Sequence, residues 1–264
     1  MTAVRRYSSI TKVNSRAENL SVRLADLLLL DRVRYEGATL PPKRLRFCGS
    51  LFQDEKHFLS SARKEAERLV GQFGMSLDSS VLDVGCGQGR LPIGILDRVG
   101  EIRKYRGIDV DQASVRWCQR YIARRHPGFE FERINVKNLR YNRGGLEAGD
   151  EFRFPFSEGE FDIIFLYSVF SHMNAQDVRV YLRDFRRVLR PEGRIFLTAF
   201  IEEGVPDVTE NPEDYRVKWR GRLHGVRYDK GFFERMLAES GFRLDRFDYE
   251  AESNGQSGLY ISRL

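Results

Sequence analysis

The chain has 264 residues, 41% hydrophobic and 12% aromatic, which supports a substantial buried core and excludes a disordered polypeptide. Its net charge of +6 arises from 44 Lys and Arg interleaved with 38 Asp and Glu, so no basic or acidic tail is present. Its three cysteines, Cys48, Cys86 and Cys118, are odd in number and widely spaced, which excludes a disulfide scaffold and a zinc knuckle.

Residues 1–74 read as a mostly helical extension or lid ahead of the first strand. Within it, residues 20–33 are apolar-rich and amphipathic, Pro41-Pro42 marks a break, and residues 54–73 have helical periodicity with Asp54 as cap. The run Leu27 to Leu30 is far too short to span a bilayer, and Asp26 and Asp31 flank it. No signal-peptide pattern opens the sequence, so a soluble cytoplasmic protein without a membrane partner is expected. Arg44 and Arg46 sit in a stretch that reads as a solvated loop, with reach to an anionic acceptor as the alternative.

Residues 75–264 read as one domain. Val81-Leu82-Asp83-Val84 is a short apolar run closed by glycines at 85, 87 and 89, the pattern of a buried parallel strand turning towards a helix. Glycine there permits positive φ and lets a ligand approach without a Cβ in the way. A dinucleotide fingerprint needs its third glycine where Arg90 stands, which argues against a nicotinamide dehydrogenase. Residues 105–110 read as a second strand, residues 129–136 as a third, and the near-continuous apolar run 161–170 as a central fourth. Asp109 ends the second strand about 20 positions beyond the glycines, the distance at which doubly wound folds place a ribose-binding acid. Residues 137–159 form a long insertion, too long for a bare connection. A helix over residues 181–190 is broken by Pro191-Glu192-Gly193, and residues 194–200 continue as a strand. A helix at 230–240 and strands at 242–249 and 258–262 close the sequence.

These words, with Phe161-Asp162-Ile163-Ile164 and Arg187-Val188-Leu189-Arg190-Pro191-Glu192-Gly193-Arg194, resemble the class I S-adenosylmethionine-dependent methyltransferases over residues 79–199. The resemblance implies a doubly wound, Rossmann-like, seven-stranded and mainly parallel sheet with a C-terminal antiparallel hairpin. It implies S-adenosylmethionine over Gly85, Cys86, Gly87 and Gly89, with ribose hydroxyls at Asp109. Asp83 holds the loop or bridges water to the cofactor. Val110 and Val136 sandwich the adenine or belong to the core, and Asn135 stands where relatives carry an acid facing the adenine amine. Tyr167 completes the candidate cofactor set.

Methyl transfer needs a general base only when the acceptor proton must leave early. His172, just past the fourth strand, is the candidate catalytic base, with a loop-fixing role as its structural counterpart; His224 and Tyr228 are weaker alternatives. The fourth strand ends Leu166-Tyr167-Ser168-Val169, without the prolines that clamp a planar nucleobase amine in this family. The reading is therefore methylation of a small-molecule, sugar or peptide acceptor, with O-methylation ahead of N-methylation. Nucleic acid is disfavoured. An RNA-directed enzyme, taking up the cluster Arg116, Arg120, Arg124, Arg125 and His126 that otherwise reads as a solvated helix face, is one alternative. A silent S-adenosylmethionine-binding protein, its acceptor pocket filled by Phe154 and Phe156, is the other.

Overall fold

A computed structural model describes residues 31–46, 49–149, 151–215 and 218–264. The amphipathic stretch before residue 31 and Cys48 lie outside them. In chain order the elements are β1 (Val33–Tyr35), β2 (Ala38–Leu40), α1 (Glu55–Phe73), β3 (Ser80–Val84), α2 (Arg90–Arg98), β4 (Lys104–Asp109) and α3 (Gln112–Cys118). They continue with β5 (Phe129–Arg133), β6 (Phe161–Leu166), α4 (Ala175–Val188), β7 (Leu189–Glu202), β8 (Val208–Glu210) and β9 (Val226–Asp229). The last are α5 (Lys230–Glu239), β10 (Phe242–Asp248) and β11 (Ser257–Arg263). Contacts divide the chain into two units, one of Ser80–Gly85 with Ile134–Leu264, the other of residues 31–79 with Cys86–Arg133.

In the first unit β3 is buried at every residue and pairs in parallel with β6, Val81 opposite Ile163 and Val84 opposite Leu166. That burial on both faces is why the strand is spelled by consecutive apolar residues. β6 pairs in parallel with β7, and β11 runs antiparallel to both β7 and β10. Short β9 adds in parallel at the far end of β7 and carries β8. The mainly parallel sheet and the antiparallel closing strand agree with the sequence reading. Between α4 and β7, Pro191 to Gly193 does more than break the helix. Strand pairing resumes at once, and the register with β6 slips between Phe161 opposite Leu189 and Ile163 opposite Arg194, so the segment is absorbed as an irregularity inside β7.

The 137–159 insertion is anchored on α4. Phe152 stacks on Tyr181 and Phe154 on Phe185, with ring centroids 5.4 and 5.5 Å apart. Asp184 accepts the Phe154 N–H at 2.7 Å, and Arg187 donates to the carbonyls of Phe154 and Phe156 at 3.0 and 2.6 Å. Phe154 therefore fills a satellite core against a helix.

In the second unit β4 and β5 pair in parallel, and α1 packs on α2. Asp54 caps α1 by accepting from the His57 N–H, as its position in the sequence indicates, and Gly74 ends it in the left-handed region. The helical reading of the extension holds for α1, whereas residues 33–40 form a hairpin. Arg46 is buried, donating to the carbonyls of Pro41 and Gln53 and pairing with Glu55, so it stitches this segment to α1 and is no solvated loop residue. Arg44 pairs with Asp31. β5 ends at Arg133, three residues earlier than the alternating pattern suggests. Among the described residues, no helix is long and apolar enough to cross a membrane, and no group of three or more His, Cys, Asp or Glu could hold a metal.

Candidate active site

The glycine turn is built by backbone conformation. Gly85, Gly87 and Gly89 have φ of +75°, +50° and +82°, a region that L side chains enter only under strain. A Cβ on Gly85 would lie 2.5 Å from Val169 Cγ2, so the start of the turn is packed against the loop after β6. A Cβ on Gly89 would meet Ile122 and Cys118 at 2.8 and 3.0 Å. Nothing lies within 4 Å of a Cβ on Gly87, so open space fronts the middle of the turn.

Asp109, at the end of β4, grips this turn. Its Oδ2 accepts the Gly87 N–H at 2.7 Å and its Oδ1 accepts the Asp111 N–H at 2.8 Å. Burial pushes the carboxyl up to about 6, and the two backbone N–H groups restrain the rise. Asp111 in turn caps α3 by accepting from the Ser114 N–H at 2.8 Å. Cys86 and Cys118 are buried free thiols whose sulfurs lie 3.8 and 3.6 Å from the Gly87 carbonyl oxygen. Their close fit under the turn explains small, apolar side chains there, and neither offers an exposed nucleophile.

Asp83 is buried in β3, opposite Phe165 of β6. Val110 lies just past β4, its carbonyl accepting from Arg133 Nε at 3.0 Å. Asn135 stands two residues beyond the end of β5. Its side-chain oxygen accepts from Asn142 Nδ2 at 3.2 Å, and neighbouring Val136 is buried. The Tyr167 hydroxyl donates to Glu252 Oε2 at 3.1 Å.

His172 closes a single turn after β6. Its Nδ1 faces the Leu223 carbonyl at 3.2 Å, which fixes the proton on Nδ1 and leaves Nε2 as the acceptor nitrogen. Its own carbonyl accepts from Asn138 Nδ2 at 2.9 Å, and its ring meets Tyr141 edge-on with centroids 5.4 Å apart. Burial, helped by the Arg140 cation, pulls the imidazole down to about 4, so it is neutral at physiological pH. Of the weaker alternatives, Tyr228 is fully buried with its hydroxyl donating to the Met173 carbonyl, and burial holds it protonated far above its usual range. His224 Nδ1 accepts the Arg220 N–H at 2.6 Å.

Sequence reasoning missed the network behind Ser168, a non-glycine residue with φ of +60°. Its N–H donates to Thr198 Oγ1 at 2.8 Å, and Gln256 Nε2 donates to its hydroxyl at 2.7 Å. Nothing local in the sequence signals these long-range partners.

A family profile described as "Methyltransferase domain" matches residues 81–193, which contain the glycine turn, Asp109 and the loop after β6. This stretch resembles a methyltransferase domain, and the fold around it is that of the S-adenosylmethionine-dependent methyltransferases. The chain is 29% identical over 147 residues to methyltransferase GfsG of Streptomyces halstedii, covering 56% of this chain and 47% of that protein. The match thus spans about half the length of that relative. A SAM-dependent methyltransferase from Aquifex aeolicus superposes with a TM-score of 0.51 at 19% identity, covering 76% of this chain and 90% of that one. The 1,6-didemethyltoxoflavin-N1-methyltransferase of Burkholderia thailandensis, solved with 1,6-didemethyltoxoflavin and S-adenosylhomocysteine bound, gives 0.53 at 14% identity over 97% and 93% of the two chains. At these identities the likeness is one of fold.

Proposed function

We propose that this protein transfers a methyl group from S-adenosylmethionine to a small-molecule, sugar or peptide acceptor. The carrying observation is the Asp109 carboxylate drawn beneath Gly87 by that residue's N–H. The two carboxylate oxygens accept the Gly87 and Asp111 N–H groups, and a carboxylate has about four acceptor directions, so capacity remains for a ribose hydroxyl. The open space at Gly87 admits the backbone approach that such a ligand needs. Cys86, Gly87, Gly89, Asp109 and Val110 hold the cofactor in this reading; Asp83, Gly85, Asn135, Val136 and Tyr167 are assigned by family resemblance.

When bound, the sulfonium supplies an already activated methyl group. The chain's own task is to place the acceptor in line with it and to exclude water. An imidazole near 4 is a weak base at neutral pH, so His172 fits the loop-fixing role better than the general-base role. That in turn removes the main support for preferring a hydroxyl acceptor over an amine. Neighbours of the same fold include a 1,6-didemethyltoxoflavin-N1-methyltransferase and a mitomycin 7-O-methyltransferase, which leaves amine and hydroxyl acceptors on equal footing.

Calorimetry with S-adenosylmethionine, S-adenosylhomocysteine and NAD tests the cofactor, followed by a methyl-release assay on mixed hydroxyl and amine acceptors. Preferential NAD binding would overturn the reading. Tight S-adenosylmethionine binding without transfer to any acceptor would favour the silent binding protein.

A further inference from the structure

The start of the 137–159 insertion is a loop closed on itself. The Lys137 N–H donates to the Leu146 carbonyl at 2.8 Å, and the Leu146 N–H donates to the Asn135 carbonyl at 2.9 Å. Asn138 and Asn142 exchange backbone hydrogen bonds at 3.0 and 2.9 Å, and Asn138 Oδ1 accepts the N–H groups of Arg140 and Tyr141 at 2.9 and 3.1 Å. A Cβ on Gly145 would lie 2.5 Å from both Asn142 Nδ2 and the Val136 carbonyl carbon, so the loop is tightly packed. It is tied to two neighbours. Asn138 Nδ2 donates to the His172 carbonyl at 2.9 Å, and His172 Nδ1 donates to the Leu223 carbonyl at 3.2 Å. His172 follows the carboxyl end of β6, the end at which open α/β sheets bind their ligands.

On this rigid loop the Arg140 guanidinium is unengaged. Among the described residues no carboxylate pairs with it and no carbonyl accepts from it, and its Nε is shielded from water without an acceptor. A shielded donor without a partner is uncommon, because nothing replaces the hydration it loses. The guanidinium carbon lies 5.3 Å from the Tyr141 ring centroid, a contact that orients the charge without cancelling it. The imidazoles of His172 and His224 are both held below their ordinary range, by burial first and then by the Arg140 cation, so both are neutral. His224 Nδ1 accepts the Arg220 N–H, which puts its own proton on Nε2 as a further donor. One cation flanked by neutral imidazoles suits an occupant with a single negative charge, and the planar fork suits two oxygens on one carbon. Tyr141 and Leu146, 46% and 51% exposed, put apolar surface on the same loop. A carboxylate on an aromatic body meets all of these conditions.

We propose that Arg140 determines acceptor specificity by holding a carboxylate of the methyl acceptor. The inference rests on the methyl-transfer reading and narrows its acceptor to an organic acid.

The test uses the full chain, titrated with sodium benzoate and with benzamide at low ionic strength, with and without saturating S-adenosylhomocysteine, and followed by ligand-observed NMR. Benzoate is expected to bind about tenfold tighter than benzamide, the difference made by one charge-assisted pair. Arg140→Gln should bring benzoate down to the level of benzamide and leave benzamide unchanged, while Arg140→Lys keeps part of the preference. Arg143 is an exposed arginine of the same loop whose Nε donates to the Leu139 carbonyl at 2.9 Å. Arg143→Gln should leave benzoate affinity within about twofold, since a solvated charge is largely screened. Benzoate and S-adenosylhomocysteine should bind together, and S-adenosylhomocysteine affinity should be the same in all three variants. Equal affinity for benzoate and benzamide overturns the proposal, as does failure of both to bind or an Arg143→Gln loss equal to that of Arg140→Gln. Mutual exclusion of benzoate and S-adenosylhomocysteine also overturns it, by placing the anion in the cofactor's site. Failure of S-adenosylhomocysteine alone to bind the unmodified chain overturns the methyl-transfer reading instead, and is told apart by an intact, Arg140-dependent preference for benzoate.

Discussion

Asp109 takes the N–H of Gly87, 22 residues back along the chain, in a 2.7 Å hydrogen bond, so the end of β4 directly shapes the turn before α2. The bond explains why an acid is held where burial opposes its charge. Removing its side chain should reach the cofactor through both lost ribose contacts and a loosened turn. Asp109→Ala is expected to weaken S-adenosylmethionine binding by about 1–2 kcal/mol per lost hydrogen bond, tenfold or more in Kd by calorimetry. Unchanged affinity would remove Asp109 from the site.

The same residue sets a pH dependence of stability. Its folded value of about 6 lies above its ordinary 3.8, so the folded state binds more protons between these limits. Stability from this group is therefore present at low pH and falls as pH rises from about 4 to 6, by at most about 3 kcal/mol. Urea denaturation of Asp109→Asn at pH 4.5 and 7 should show that decline abolished. An unaltered pH profile would count against the buried ionised carboxylate.

His172 acts with the opposite sign. Its folded value of about 4 lies below the ordinary 6.5, so the unfolded chain binds more protons in that window. Stability rises with pH from about 4 to 6.5 and is lost on acidification. His172→Ala should flatten this limb. A loop-fixing His172 predicts lowered stability with kcat little changed, whereas a base predicts kcat down by about 10²–10⁴ with S-adenosylmethionine affinity intact. His172→Asn separates the two further, because an amide donor can still reach the Leu223 carbonyl without acting as a base.

Two glycines provide a contrast between fold and function. On α2, Gly94 lies so close to α1 that a Cβ would fall onto the Ala62 carbonyl. Gly94→Ala should destabilise by about 1–3 kcal/mol despite the better helix propensity of alanine, measured by thermal unfolding. Gly87→Val should retain the fold, at a cost of about 1–2 kcal/mol for the left-handed backbone, and lose cofactor binding. Full affinity in Gly87→Val would show that no ligand approaches there.

Much of the frame is legible in the sequence because it is encoded locally. Burial on both faces spells β3 and β6 as apolar runs, and Asp54, Asn174 and Asp229 each cap a helix by accepting an N–H three residues on. Most of what was missed depends on distant partners. The Pro191 irregularity in β7 and the Ser168–Gln256 contact are decided by packing and pairing across the chain, whereas the hairpin at residues 33–40 is local, turning at Glu36-Gly37, and went unread. His172 was placed correctly on the loop after β6, yet its basicity depends on burial and on Arg140, and a linear sequence shows neither.

β11 follows β10 in the chain but lies between β10 and β7 in the sheet. During synthesis β10 therefore emerges with no permanent neighbour, and the edge of β7 stays open until residues 257–263 slot in between. The final assembly of this sheet is an insertion, and a chain cut before Ser257 would leave the edges of β7 and β10 both unpaired and open to another strand.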